Sequence, residues 1–368
     1  MIIGVPKEIK NNESRVSVIP FGVESLTSSG HTVLIEKNAG LGSGFSNEMY
    51  ENCGAQIISS ASEVYAKSDM IVKVKEPQKK EYSLIKEGQI IFTFFHFAAD
   101  QTLLMEMLKS KAVCVAYETV QQNDKLPLLI PMSEVAGRLA VINGSKCLES
   151  NMGGKGKLIS GVPGVAPANV LVLGGGIVGS NAAKLSAGLG ANVYILDINM
   201  DNLRYLDDTM PSNVHTIYSN RHILSELLPK IDLLIGAVLV VGAKAPKLID
   251  RDLLSIMQPG SVAVDVSVDQ GGCMQTTKPT THQNPTFIEE GVTHYCVANM
   301  PGAVPYTSTI SLCNATFPYV KDLADYGMGV FKNDDILCTG LNTLNGKITH
   351  NAVAKSFNLD YTDPLKLL

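Results

Sequence analysis

Short apolar runs alternate with amphipathic stretches along nearly the whole chain, a pattern typical of βα units that build parallel sheets. In the first part of the chain, the apolar runs predict buried strands at residues 2–5, 32–36, 70–75, 90–95 and 113–117. The amphipathic stretches between them predict helices near residues 23–29, 84–86 and 102–109. This part of the chain has no glycine fingerprint, so we expect a doubly wound sheet that binds no nucleotide.

A second group of apolar runs surrounds a glycine-rich turn. These runs predict strands at residues 170–173, 193–196, 214–218, 233–237, 262–266 and 294–297. Six strands around such a turn match a complete dinucleotide-binding domain. Prolines at 127 and 131 mark its beginning, where Ser133 is predicted to cap a helix, and a turn with two prolines at 300–305 ends it.

The length of 368 residues exceeds what a single hydrophobic core usually serves, so two domains are expected. The segment from about Tyr306 onward is too short for its own core, so it should return to complete the first domain. We therefore predict an α/β chain of two Rossmann-like, doubly wound parallel-sheet domains. Residues 1–130 plus 306–368 should form the first domain, and residues 131–305 should form the dinucleotide-binding domain.

Composition narrows the possible classes of function. Hydrophobic residues make up 45% of the chain and charged residues 18%, as in soluble globular proteins, and the net charge of -5 argues against a nucleic-acid surface. No uninterrupted apolar run reaches membrane-spanning length. The seven cysteines are scattered without a C-x-x-C pair, which favours reduced thiols in the cytoplasm and argues against a structural zinc or other metal site.

The strongest chemical signal is the turn that follows the strand at 170–173. Gly174 permits a tight turn, Gly176 leaves room for a pyrophosphate beside the backbone, and Gly179 lets the next helix pack on the strand. The amides that begin that helix would face the phosphates. Asp197 ends the following strand, where a carboxylate can bind both ribose hydroxyls and repel the additional phosphate of NADP. The predicted cofactor is NAD.

Three charged or titratable residues follow strands of the first domain. Arg15 lies in the polar loop after the first strand, Lys75 ends the strand at 70–75, and His96 follows the strand at 90–95. Ligands of open α/β sheets bind at such carboxyl ends. Each residue also has a plainer interpretation, as a solvated arginine, a surface lysine or a core histidine. Together, two cations and an imidazole could hold a carboxylate and move protons.

In the second domain, two aspartates follow the strand at 262–266. Asp265 lies within the strand register, where its carboxylate could simply accept hydrogen bonds from loop amides. Asp269 lies beyond the strand end, where it could take part in chemistry, and it is the preferred candidate.

These residues lie in motifs through which the chain resembles the alanine dehydrogenase family, in the superfamily that includes the soluble α part of proton-translocating nicotinamide nucleotide transhydrogenase. The resemblance spans essentially the whole chain. The motifs that carry it are GVPKEIKNNESRV at 4–16, VKVKEP at 72–77, HFAA at 96–99, PMSEVAGR at 131–138, GGGIVG at 174–179, DVSVDQGG at 265–272 and NMPGAVP at 299–305.

The resemblance implies reversible, NAD-dependent oxidative deamination of L-alanine to pyruvate and ammonium by a cytoplasmic homo-oligomer, usually a hexamer. It implies that Arg15 and Lys75 bind the substrate, and that His96 and Asp269 are the catalytic acid-base residues. Besides the three glycines, the implied NAD-site residues are Ser133, Ile177, Val178, Asp197, Ser219, Val238, Leu239, Val266, Ser267, Val268, Asp269, Lys278, Val297, Ala298, Asn299 and Met300.

The chain departs from the family pattern at three positions that bear on cofactor affinity. Lys278 stands where the family usually has arginine, so a bidentate phosphate contact there would be weaker. Asn202 stands where a basic residue often follows the ribose-binding acid, and Gln275 replaces a common glutamate.

Three other functions are compatible with the same motifs. One is a transhydrogenase α-subunit-like protein that binds NAD(H). The second is an NAD-binding regulatory or structural protein with an inactive pocket, although an idle site gains nothing from buried cations. The third is a saccharopine-type dehydrogenase with a larger substrate.

Overall fold

The structure is a computed structural model and describes residues 1–238 and 245–368. The chain separates into two compact units. The first comprises Met1–Met132 and Val304–Leu368, and the second comprises Ser133–Ala303.

Strands and helices alternate in the first part of the chain. Side-chain oxygens of Ser46, Ser60 and Asp100 accept hydrogen bonds from backbone amides and so begin three of these helices. The elements are β1 (Ile2–Val5), α1 (Pro20–Ser28), β2 (Thr32–Glu36), α2 (Asn47–Asn52), β3 (Gln56–Ile58), α3 (Ala61–Lys67), β4 (Met70–Val72), β5 (Ile90–Thr93), α4 (Gln101–Ser110) and β6 (Val113–Ala116).

The middle part of the chain repeats this alternation around the glycine-rich turn. Its elements are α5 (Ile130–Cys147), β7 (Asn169–Leu173), α6 (Ile177–Gly188), β8 (Asn192–Asp197), α7 (Met200–Thr209), β9 (Val214–Tyr218), α8 (Arg221–Leu227), β10 (Leu233–Gly236), α9 (Arg251–Ser255), β11 (Val262–Asp265), β12 (Thr286–Glu289) and β13 (Val292–Tyr295). Because α5 already begins at Ile130, the prediction that Ser133 caps this helix is wrong. Pro131 fits the first turn, where no backbone donor is required, and so lets the helix begin earlier.

The carboxyl-terminal segment Val304–Leu368 belongs to the first unit. Its elements are α10 (Pro305–Tyr326), α11 (Val330–Asn333), α12 (Asp335–Thr339), β14 (Leu341–Leu344), β15 (Lys347–Ile348) and α13 (Asn351–Phe357). Strand β14 pairs antiparallel with β6, and β15 pairs antiparallel with β14. The end of the chain therefore extends the first sheet at its β6 edge.

Both sheets share one strand order. In the first, the parallel strands follow the order β3-β2-β1-β4-β5-β6, and in the second the order is β9-β8-β7-β10-β11-β13. Each is the 3-2-1-4-5-6 arrangement of a dinucleotide-binding fold, with antiparallel strands added only at one edge. The predicted α/β class with two Rossmann-like sheets is confirmed.

The strands form the cores of the two units. All residues of β4, β5 and β6, and likewise all residues of β10, β11 and β13, are buried. This burial explains their nearly continuous apolar sequences, since helices cover both faces of such sheets. Of the helices among the described residues, none is long and apolar enough to cross a bilayer.

The structure differs from the predicted elements at several places. Strand β4 ends at Val72 and β5 at Thr93, so the residues just beyond them are loops rather than strand. A short 3₁₀ turn at Tyr82–Leu84 replaces the helix predicted near 84–86. Strands β3, β12, β14 and β15 were not predicted, because their short, partly polar sequences carry little periodicity.

Candidate functional site

Each sheet reverses its strand order at one point, between β1 and β4 in the first unit and between β7 and β10 in the second. Ligands of open α/β sheets bind beyond the carboxyl ends of the strands at such points. The loops after β1, β4 and β5 carry Arg15, Lys75 and His96, and the loops after β7 and β11 carry the glycine-rich turn and Asp269.

Arg15 is not a solvated loop residue, because only 2% of its surface is exposed. Its Nε and Nη2 donate to the two carboxylate oxygens of Glu13 at 2.7 and 2.5 Å, and its Nη1 lies 2.9 Å from the Met132 sulfur. Burial raises the pKa of the Glu13 carboxyl, but its hydrogen bonds with Arg15 outweigh burial and lower the pKa to about 2. Glu13 therefore stays ionised and fixes the plane of the guanidinium.

A second buried ion network fixes the end of β4. The fully buried Lys73 Nζ lies 3.2 Å from Glu8 Oε2 and 2.9 Å from Glu81 Oε1. Burial lowers the pKa of the Lys73 ammonium, but the two carboxylates outweigh burial and raise the pKa overall. The tyrosine hydroxyl of Tyr65 also donates to Glu81 at 3.2 Å.

This network reaches Lys75 through its backbone. Glu8 Oε1 accepts hydrogen bonds from the backbone amides of Val74 at 2.6 Å and Lys75 at 3.2 Å. The Lys75 side chain is half-buried, and its charge helps to lower the pKa of Glu13. The loops after β1 and β4 thus bring two cationic side chains, Arg15 and Lys75, into one electrostatic environment.

His96 is exposed, so it is not a core histidine. Its backbone has φ 52° and ψ 40°, in the left-handed region. Its ring lies parallel to the ring of Phe94, with centroids 5.7 Å apart. The carboxylate of Glu118, just after β6, accepts hydrogen bonds from the backbone amides of Phe95 and His96. The imidazole is therefore held at the sheet edge and is open to a ligand.

In the second unit, the three fingerprint glycines have the geometry that a dinucleotide requires. Gly174 has φ 95°, and a Cβ there would lie 2.6 Å from the backbone oxygen of Ala237. A Cβ on Gly179 would lie 1.8 Å from the backbone oxygen of Gly174, so α6 could not pack as it does. A Cβ on Gly176 would meet no atom within 4 Å, which leaves open space beside the start of α6 and its residues Ile177 and Val178. This open cradle at a helix amino terminus fits a pyrophosphate.

Asp197 ends β8 and contacts this turn. Its Oδ2 accepts hydrogen bonds from the Gly175 amide at 2.7 Å and from the Asn202 side chain at 3.0 Å, and its Oδ1 accepts from the Asn199 amide at 2.8 Å. Ser219, which follows β9, donates its backbone amide to the Asp197 backbone oxygen at 2.9 Å. The carboxylate is therefore fixed beside the glycine-rich turn, on the ribose side expected of a dinucleotide fold.

The two candidate aspartates after β11 have different environments. Asp265 is fully buried and accepts hydrogen bonds from the amides of Ser267 and Cys273 and from the Thr277 hydroxyl, so it organises the loop. Asp269 is exposed at the end of a 3₁₀ turn, Val266–Gln270. Of the two, Asp269 is the one whose carboxylate faces solvent and could contact a ligand.

The described NAD-site candidates that remain lie in several parts of the second unit. Ser267 Oγ bonds both the amide and the carbonyl of Val238, whereas Leu239 lies outside the described residues. Lys278 Nζ lies 3.0 Å from Glu289 and 5.3 Å from the centre of the Phe287 ring. Ser133, Val266 and Ala298 are half-buried, whereas Val268, Val297 and Met300 are buried, and Asn299 has φ 60°.

Four residues that hold the candidate site residues or their loops in place were not identified from the sequence, namely Glu8, Glu13, Lys73 and Glu118. Glu118 could have been found, because it follows β6 at the same edge as His96. Glu13 and Lys73 lie two residues from Arg15 and Lys75, and Glu8 lies seven residues before Arg15. The burial of these three charged residues has no signature in the sequence.

Comparison with known proteins identifies the family. The models of the N-terminal and C-terminal domains of alanine dehydrogenase/PNT match residues 4–136 and 140–351. The chain belongs to the alanine dehydrogenase/PNT family. Alanine dehydrogenase of Methanococcus maripaludis is 53% identical over 100% of both chains, and that of Bacillus subtilis is 50% identical over 100% of this chain and 98% of its own. The resemblance noted from the motifs is confirmed.

Solved structures of this family have the same fold. An L-alanine dehydrogenase structure superimposes with a TM-score of 0.94 at 48% identity, covering 97% of this chain and 99% of its own. A transhydrogenase from Sinorhizobium meliloti gives a TM-score of 0.81 at 23% identity, covering 96% of this chain and 100% of its own. At that identity the transhydrogenase demonstrates a shared fold alone.

Proposed function

We propose that this chain is an alanine dehydrogenase, which converts L-alanine, NAD⁺ and water to pyruvate, ammonium, NADH and a proton, and also catalyses the reverse reaction. The observation that carries this proposal is the 53% identity to the Methanococcus maripaludis alanine dehydrogenase over the whole of both chains. The arrangement of charged residues in the first unit, described above, supports the same chemistry.

The substrate carboxylate and carbonyl are assigned to Arg15 and Lys75. Glu13 binds Nε and Nη2 of Arg15 and so fixes the position of the guanidinium, whose positive charge can attract a substrate carboxylate. Lys75 supplies a second cation whose backbone Glu8 fixes. Two positioned cations suit the small anionic substrates pyruvate and L-alanine.

Proton transfer is assigned to His96 and Asp269. In the deaminating direction, loss of hydride and a proton from alanine leaves an iminium carbon, to which water adds. A neutral His96 imidazole accepts a proton from that water and returns it to the nitrogen of the carbinolamine. The carbinolamine hydroxyl loses its proton as the C–N bond breaks to give pyruvate, and the released ammonia takes up a proton to become ammonium. Asp269 is the second acid-base group. In the reverse direction the protonated imidazole favours the binding of pyruvate.

NAD is assigned to the carboxyl edge of the second sheet, with Gly174, Gly176 and Gly179 at the phosphates and Asp197 at the ribose. When bound, NAD⁺ supplies the hydride acceptor. The open space beside Gly176 and the fixed Asp197 carboxylate are the observations that fit this cofactor. We assign the substrate and catalytic role to the first unit and the NAD-binding role to the second.

We further propose that the protein works in the cytoplasm as a homo-oligomer, a hexamer by resemblance to its family. All seven cysteines are among the described residues and are free thiols, as a reducing compartment requires. Light scattering of the purified chain would give the mass of the oligomer.

An absorbance assay for NADH tests the proposed function directly. The chain should reduce NAD⁺ with L-alanine and oxidise NADH with pyruvate and ammonium, and it should respond weakly to L-lysine and to NADP⁺. Hydride exchange between nucleotides without any amino acid would instead indicate a transhydrogenase-like protein. NADH binding without turnover of any substrate would indicate a regulatory protein.

A further inference from the structure

The backbone of His96 has a conformation that a histidine rarely adopts on its own. Its φ of 52° and ψ of 40° place it in the left-handed region, at the start of the short 3₁₀ turn Phe97–Ala99. Left-handed conformations are disfavoured for residues with a Cβ and persist only where the surrounding structure holds them. The direction of the imidazole depends on this backbone geometry.

Glu118 provides the contact that holds this conformation. One carboxylate oxygen accepts the His96 amide at 2.5 Å, and the Phe95 amide lies 3.3 and 3.2 Å from the two oxygens. Glu118 reaches both amides because β6 is the parallel neighbour of β5, so the two strands end side by side. A single side chain therefore satisfies two successive donors where β5 leaves the sheet.

Tyr117, the residue before Glu118, supports the imidazole of His96 indirectly, through the ring of Phe94. Phe94 lies parallel to the His96 ring, with an interplanar angle of 1°. The ring of Phe94 in turn packs edge-on against Tyr117 at 5.0 Å. The turn Tyr117–Thr119 thus supports both the backbone and the ring of His96.

We infer that Glu118 is a positioning residue for His96, which acts through the two backbone hydrogen bonds and does not touch the substrate. The inference rests on the proposed function, in which His96 transfers a proton. Without Glu118, the backbone at His96 relaxes toward common φ and ψ values, and the imidazole points elsewhere. Proton transfer then slows, whereas the cofactor site of the second unit is unaffected.

The decisive variant is Glu118→Ala. We expect kcat for alanine oxidation to fall roughly 10- to 100-fold, because small displacements of a reacting group are costly, while NADH binding is unchanged. Glu118→Gln keeps one acceptor oxygen for the two amides and should recover most of the activity. A kcat for Glu118→Ala within twofold of wild type would overturn the inference.

Asp334→Ala is the matched control for loss of a carboxylate. Asp334 Oδ1 also accepts two backbone amides in the same unit, those of Ile336 at 2.9 Å and Leu337 at 3.0 Å. It caps α12 and lies outside the candidate site. If Asp334→Ala lowered kcat as much as Glu118→Ala, the effect of Glu118 would be general destabilisation and the inference would be wrong.

A double-variant cycle tests whether Glu118 acts through His96. In a His96→Ala background, Glu118→Ala should cause no further fall in kcat, since the group that it positions is already absent. An equal fall in both backgrounds would assign an independent role to Glu118 and overturn the inference.

The effect of Glu118 on His96 must be distinguished from its effect on His350, because the Glu118 charge also interacts with His350. Burial lowers the pKa of His350, and Glu118 opposes this shift. His350→Gln should leave kcat near wild type. A loss equal to that of Glu118→Ala would place the effect at His350 and contradict the inference.

Backbone amide exchange provides a test that does not depend on enzymatic activity. In Glu118→Ala, hydrogen exchange at Phe95 and His96 should accelerate, with little change in the strands of the second unit. Unchanged exchange at these two amides would overturn the positioning role. Absence of alanine dehydrogenase activity in the wild-type protein, in contrast, would overturn the proposed function and leave this test standing.

Discussion

The loop after β1 and the loop after β7 occupy the same position in two sheets of the same strand order, yet they are built differently. The first carries charged side chains, with Arg15 buried against Glu13 and with Glu8 bound to Lys73. The second is the glycine-rich turn that follows β7, with no charged side chain between Gly174 and Gly179. The carboxyl edge of the first sheet, called the first edge below, presents side-chain cations. The carboxyl edge of the second sheet, called the second edge, presents bare backbone at the amino terminus of α6.

Under the proposed function, the difference explains how one topology can serve two ligands. A small carboxylate needs directional cations, and buried carboxylates are required to hold those cations in place. A pyrophosphate needs close approach to backbone amides, which any side chain at Gly176 would obstruct. The fold supplies the strand ends, and the residues placed there determine what binds.

The largest effect is expected from the variant that removes the proposed proton-transfer group of the first edge and leaves the second edge unchanged. His96→Ala should lower kcat roughly 10²- to 10⁴-fold through loss of proton transfer. NADH binding, measured by fluorescence, should stay near wild type because it belongs to the other edge. Turnover retained within a few fold would show that the proton is carried by another group.

The buried ions of the first edge should be important for stability as well. Lys73→Met leaves Glu8 and Glu81 buried without their cation, so the free energy of unfolding should fall by about 3–5 kcal/mol in urea titrations. Lys111→Met is the control, because Lys111 pairs with Glu87 at the surface, and it should cost at most about 1 kcal/mol. Equal losses of unfolding free energy in Lys73→Met and Lys111→Met would show that burial of the Lys73 network adds nothing to stability.

The Glu13–Arg15 pair should make the free energy of unfolding depend on pH. Since the folded pKa of Glu13 is about 2 against an ordinary 4.5, the ionised carboxylate stabilises the fold above about pH 4.5, and this contribution is lost as the pH falls toward 2. The contribution is on the order of 3 kcal/mol. The gap in unfolding free energy between wild type and Glu13→Gln should therefore narrow on acidification. A gap independent of pH would contradict the pairing.

Lys75 tests whether the cations of the first edge bind substrate. Lys75→Ala should raise KM for pyruvate roughly 10- to 100-fold, as expected from loss of a charged hydrogen bond worth about 1.5–3 kcal/mol. Lys79→Ala, an exposed change four residues further along, is the control. An unchanged KM with persistent activity would remove Lys75 from the substrate site.

The smallest expected effect concerns cofactor choice at the second edge. Asp197→Ala should reduce the preference for NAD⁺ over NADP⁺ by about tenfold in kcat/KM, because the ribose ligand and the repulsion of the additional phosphate are both lost. Asp201→Ala, a nearby exposed change, should leave the ratio intact. If the ratio survives Asp197→Ala, another residue near this turn sets cofactor choice.

Much of the architecture was predictable because it depends on local patterns. Strands β1, β2 and β9 were predicted to the residue, and the glycine-rich turn was identified with its flanking strands, since periodicity and turn chemistry are properties of neighbouring residues. The ends of β4 and β5 were predicted too far along the chain. Apolar residues continue past both ends, and the Lys73 amide still bonds the Phe92 carbonyl and the Phe94 amide the Val74 carbonyl, so the segments stay adjacent beyond the strands themselves.

The sequence by itself determined the two α/β sheets, the family and the residue types at the strand ends. Only the tertiary structure decided how those residues are held. Glu8 bonds the Val74 amide across 66 residues, Glu118 bonds the His96 amide across 22, and β14 joins β6 from the far end of the chain. Such contacts depend on how elements distant in sequence pack together. No local pattern encodes them, because the same glutamate would be solvated on a different surface.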